Sequence, residues 1–132
     1  MNPVLVPELR YRRLWLCAGL VLAAIIALLS LLPGKDLPEL HLWDKLEHTL
    51  AYVALGFCFG SIVVRRDFLW LGLTLVAFGG AIELIQGHVG RDAEWGDLLA
   101  DAIGTTVGQL LALTPLGRWP HWFEALLPGR RE

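Results

Sequence analysis

Phe68 to Gln86 reads FLWLGLTLVAFGGAIELIQ, and this stretch decides the fold. It carries a single ionisable residue, Glu83, set near its end and followed by Gln86. A helix of that length rises about 28 Å at 1.5 Å per residue, close to the roughly 30 Å of a bilayer's hydrocarbon core. Lipid offers the backbone no hydrogen-bond partner, so a spanning segment of this kind must pair its own N–H and C=O groups as a helix. Working outward, three more apolar stretches appear at Leu14 to Leu32, Leu46 to Val64 and Leu98 to Leu113. All are too long and too continuously apolar for barrel strands. The pattern predicts an all-α, polytopic membrane protein, with residues 1–132 forming one domain. Its architecture would be a bundle of four transmembrane helices with short loops.

Composition points the same way. Of 132 residues, 55% are hydrophobic and only 18% charged, and the mean hydropathy is +0.55. A water-soluble chain of this size would have too few charges to cover its surface. Arg10, Arg12 and Arg13 precede the first stretch, as basic residues precede a signal peptide. Yet its apolar run exceeds the 7–15 residues of a signal core, and Leu31, Leu32, Pro33, Gly34 offers no small-x-small cleavage site, so it reads as a retained helix. Cys17 and Cys58 fall within apolar stretches without metal-ligand spacing and read as small buried apolar groups. Trp119 to Leu127 is aromatic and too short to span, which predicts an amphipathic segment lying in the headgroup layer.

Counting basic residues orients the chain. Arg10, Arg12, Arg13, Arg65, Arg66, Arg118, Arg130 and Arg131 fall on the side of the N-terminus, against Lys35, Lys45 and Arg91 on the other. Basic loops resist translocation, so both termini are expected in the cytoplasm. The opposite, outer half holds nine of the thirteen acids: Asp36, Glu39, Asp44, Glu47, Glu83, Asp92, Glu94, Asp97 and Asp101. No basic stripe with interleaved aromatics exists, which excludes nucleic acid as a partner.

The polar residues recur at one depth. Asp44, His48 and Tyr52 are spaced by four and form one helix stripe, with His48 about 6 Å below Asp44. Asp44 and Glu47 make a capping-box-like pair. Glu83 and Gln86 approach the same face from the opposite direction. A carboxyl inside a span is costly, about 2.5–3.5 kcal/mol for a central Asp, which marks Glu83 as a functional candidate. Its competing reading is a tie to His48 or Arg91 that only holds helices together. Asp97 follows Gly96 as an N-cap would, Asp101 lies a turn deeper, and Gly104 and Gly108 have the G-x-x-x-G spacing of close helix packing. Two positive helix ends, with Arg91 and Lys45, would favour a phosphate or carboxylate. The clustered acids repel an anion unless a cation bridges them. His48, Asp44, Glu83, Asp97 and Asp101 offer mixed nitrogen and oxygen donors suited to a divalent metal, although no fixed metal motif or other cofactor signature is present.

These residues resemble a known family, the VanZ-like membrane proteins. The matching elements are Asp44, Lys45, His48, Ala51, Tyr52, Leu55 and Gly56, then Glu83 and Gln86, then Arg91, then Asp97, Gly104 and Gly108, over about Trp43 to Leu111. The resemblance implies a small helical domain in the bacterial inner membrane, in a family associated with resistance to the glycopeptide antibiotic teicoplanin. Asp101 departs from it, since Asn is expected there.

Three functions are compatible with this pattern. The chain would bind an amphiphilic envelope ligand, such as a lipid-linked precursor or a glycopeptide-type antibiotic, through Asp44, Lys45, Tyr52, Gln86, Arg91 and Asp97. Alternatively it would hydrolyse or transfer an anionic lipid phosphate head group, with His48, Glu83 and Asp101 as catalytic groups. In the third reading it is a structural or assembly subunit whose buried ions lock the helices. Membrane lipids are partners in all three, and the oligomeric state is left open. No nucleophile elbow, P-loop or H-E-x-x-H signature is present to select an enzyme class.

Overall fold

The computed structural model describes residues 4–32, 44–89 and 94–128. Among them are five α-helices: α1 (Arg12–Leu31), α2 (Asp44–Gly60), α3 (Phe68–Gln86), α4 (Trp95–Ala112) and α5 (Trp119–Leu126). Short 3-10 turns at Arg65–Asp67 and Pro115–Arg118 precede α3 and α5. The only extended pairing among the described residues is a bridge between Leu5 and Val63. There Val6 N donates to Ile62 O at 2.8 Å and Val64 N to Val4 O at 2.9 Å, which lays the N-terminal segment along the α2–α3 connection.

The four long helices alternate in direction, and three polar ties show it. Gln86 Nε2 donates to Ser30 O at 2.8 Å, joining the ends of α3 and α1. Lys45 Nζ meets Glu94 at 2.7 Å, joining the starts of α2 and α4. Gln109 Nε2 donates to Phe68 O at 2.8 Å, joining the end of α4 to the start of α3. The chain therefore brings the His48, Glu83 and Asp101 levels to one end of the bundle and the 65–67 turn to the other.

The sequence places α2 at the centre. Tyr52, Leu55, Phe59 and Ile62 are all buried, with Leu9, Val63 and Leu75 packed around them. Its principal neighbour is α4, and glycines set their separation. A Cβ on Gly104 would collide with the Thr49 carbonyl, one on Gly108 with the Val53 carbonyl, and one on Gly56 with the backbone of Thr105. Backbone meets backbone across this contact, as the G-x-x-x-G spacing implies.

The exterior is apolar and the interior partly charged. Leu69 is 70% exposed and Leu84 71%, whereas Asp101 is 1% exposed. Water would penalise that distribution and a lipid solvent rewards it. Arg12–Leu31, with a mean hydropathy of 2.6, and Arg65–Gln86, with 2.0, are each long and apolar enough to cross a membrane. A third span arises among the described residues if Trp95–Ala112 and Pro115–Leu126, bent by 74°, count as one.

Expected and observed boundaries agree best for α3. The second apolar stretch, expected over 46–64, ends as a helix at Gly60, because Val63 and Val64 leave the helix to pair with the N-terminal segment. Its 17 residues rise only about 25 Å, and its first turns carry Lys45, Glu47 and His48. The C-terminal segment turns away where Pro115 interrupts the chain. It docks on the start of α1 and the two residues before it: Glu124 accepts from Arg10 N at 2.9 Å, Tyr11 N at 2.8 Å and Trp15 Nε1 at 2.8 Å. Trp15, Trp119 and Phe123 add edge-to-face contacts, with Trp15 and Trp119 centroids 5.0 Å apart.

Candidate functional site

α2, α3 and α4 deliver their polar groups to one pocket. His48 lies four residues beyond the start of α2 and points toward α4, where Asp101 and Asp97 are spaced by one turn. Its Nδ1 is 2.9 Å from Asp101 Oδ1, and its Nε2 is 3.9 Å from Asp97 Oδ2. Each ring nitrogen thus faces a carboxylate. Lys45, one turn earlier on α2, bonds Glu94 at 2.7 Å and sits 3.6 Å from Asp97 Oδ1. The hydrogen bond from Lys45 holds the exposed Glu94 carboxyl below its ordinary value.

Glu83 enters from α3. Its Oε2 accepts the Glu94 backbone N–H at 3.2 Å, which joins α3 to the residue preceding α4. Its other oxygen, Oε1, is buried without a hydrogen-bond partner, and the residue is 7% exposed. Tyr52 is also buried and its hydroxyl is likewise unpaired. Gly79 makes room for these groups: a Cβ there would fall 2.9 Å from the Tyr52 hydroxyl and against Asp101 Oδ2. Thr105, one turn below Asp101 and 1% exposed, completes the polar floor with an unpaired Oγ1.

The structure brings together Lys45, His48, Tyr52, Glu83, Asp97 and Asp101. Gln86 is directed to α1 through Ser30 and ties helices. Asp44 opens α2, but its side chain lies outside the described residues, as does the whole of Arg91. Asp97 is not the N-cap expected for it. Glu94 occupies that position without a side-chain cap, and Asp97 stands in the first turn of α4, its N–H bonded to Glu94 O at 3.0 Å and its carboxylate turned toward Lys45 and His48. Glu94 and Thr105 were not legible as site residues. Glu94 is one of several acids in a polar loop, and Thr105 looks like an ordinary residue of an apolar helix.

Charge defines what the pocket suits. Glu83, Glu94, Asp97 and Asp101 gather around Lys45 and His48, so among the described residues acids outnumber bases and the pocket favours cations and hydrogen-bond donors. Beside it lies a cleft of about 500 Å³ lined by Ala77, Ala81, Leu84, Trp95 and Leu98, with Glu83 and Glu94 also on its wall. Comparison of the chain with family models, curated proteins and solved structures finds no match.

Proposed function

We propose that the chain is a VanZ-like, multi-pass protein of the bacterial inner membrane that binds an amphiphilic molecule of the cell envelope. In this reading all four long helices span, both termini are cytoplasmic, and α5 lies in the inner headgroup layer. The observation that carries the proposal is the apolar cleft whose wall continues into the buried acid–histidine pocket through Glu83 and Glu94. A head group rich in amine or hydroxyl donors would bond these carboxylates. Its hydrocarbon portion would lie against Ala77, Ala81, Leu84 and Leu98, where van der Waals packing rather than removal from water would hold it. A lipoglycopeptide such as teicoplanin has this two-part chemistry, and so does a lipid-linked cell-wall precursor whose sugar and peptide groups, rather than its phosphates, meet the pocket.

The test is binding of teicoplanin and of a lipid-linked precursor to the purified protein in detergent. Glu83→Gln and Arg91→Ala are expected to weaken binding at least tenfold while leaving the helical spectrum intact. Unchanged binding in both variants ends the proposal.

A further inference from the structure

We infer that His48, Glu83 and Asp97 form a binding site for a divalent transition metal, Zn²⁺ in first place and Mn²⁺ next. Each of the three offers a ligand atom, and these atoms all lie within 4.8 Å of one another. Two ligands each about 2.1 Å from a shared ion are separated by about 3 to 4 Å, depending on the angle between them. The 3.9 Å between His48 Nε2 and Asp97 Oδ2 falls in that window, and it is too long for a hydrogen bond.

Two further observations point to an ion. Glu83 is 7% exposed and its Oε1 is buried with no hydrogen-bond partner, a costly state for a carboxylate that a cation would relieve. Asp101, 2.9 Å from His48 Nδ1, holds the imidazole in place, and with Nδ1 donating to that carboxylate Nε2 would be the ligating nitrogen. That carboxylate–histidine arrangement is the usual support behind a metal-bound histidine. Charge also favours a cation: Glu83, Glu94, Asp97 and Asp101 gather around Lys45 and His48, so acids outnumber bases among the described residues. An imidazole with two carboxylates is a donor set for Zn²⁺ or Mn²⁺. Three protein donors leave a coordination position for an incoming oxygen.

The inference does not depend on amphiphile binding, because it is measured with the metal alone. The full chain is purified in detergent, stripped with a chelator and titrated calorimetrically with ZnCl₂, then MnCl₂. One Zn²⁺ per chain is expected, with a rise in melting temperature. Glu83→Gln and Asp97→Asn keep size and shape, and each is expected to weaken binding at least tenfold and abolish the rise. No saturable binding by the folded wild-type protein overturns the site. So does undiminished affinity in both variants. If either variant loses its helical spectrum, a chain in which Asn replaces His41, His88 and His121 decides: retained binding supports His48 as the ligand, and lost binding refutes it.

Discussion

Asp101 Oδ1 lies 2.9 Å from His48 Nδ1, across the glycine-lined contact of α2 and α4. The close backbone approach at Gly104 and Gly108 permits this bond, because bulkier residues would move α4 away from α2 and lengthen it. The pair orients the imidazole, and the imidazole's second nitrogen then faces Asp97. Packing between two helices thereby sets the direction of the site's one aromatic base.

Removing this support should be visible in two ways. Asp101→Asn keeps an acceptor for Nδ1–H but loses the charge, so the protein is expected to stay folded while Zn²⁺ affinity falls about 10- to 100-fold. Asp101→Ala leaves the His48 ring nitrogen without that partner and is expected to cost about 1–3 kcal/mol in stability. Thermal unfolding in detergent measures the second effect. Wild-type stability in the alanine variant would show that the pair holds nothing in place.

The same contact predicts a contrast among glycines. Gly104→Ala drives a Cβ into the Thr49 carbonyl and is expected to destabilise by about 1–3 kcal/mol, the range for overpacked interiors. Gly80→Ala meets only the end of the Leu98 side chain, at 3.7 Å, and should be neutral. Equal melting temperatures for the two variants would contradict the backbone-to-backbone account.

Much of this was legible before any coordinates. The common depth of His48, Glu83, Asp97 and Asp101 follows from helices that must alternate in direction, and the spacing of Gly104 and Gly108 already implied close packing. Other features depend on tertiary partners that periodicity does not reveal. The second apolar stretch ends early because Val63 and Val64 pair with the N-terminal segment. Asp97 resembles an N-cap by position, yet Lys45 draws its carboxylate inward. Glu94 and Glu124 gained their roles from residues 49 and more than 100 positions away.

Sidedness can be read by chemical labelling. Asp67 and Glu94 lie at opposite ends of the bundle, and the four-span proposal puts them on opposite membrane faces. In a background where alanine replaces Cys17 and Cys58, Glu94→Cys is expected to react with an impermeant maleimide added outside intact cells. Asp67→Cys is expected to react only after the membrane is opened. Labelling of both from the same side would refute the four-span topology.

The docking of α5 on α1 should depend on pH with a definite sign. Burial raises the Glu124 carboxyl, but the amides of Tyr11 and Arg10 and the Trp15 indole outweigh it and hold the group below its ordinary 4.5. A carboxyl lowered in the folded state stabilises that state above its unfolded value and loses the contribution as pH falls through the folded value. The clamp should therefore be intact at pH 5 and above, about half a unit over that ordinary value, and release only under stronger acid. Glu124→Gln cannot ionise, so it should weaken docking at neutral pH and flatten the acid transition. Proteolysis of the C-terminal segment reports the release, since an undocked α5 is cut sooner. A transition in the wild-type protein that persists unchanged in Glu124→Gln would assign it to another group.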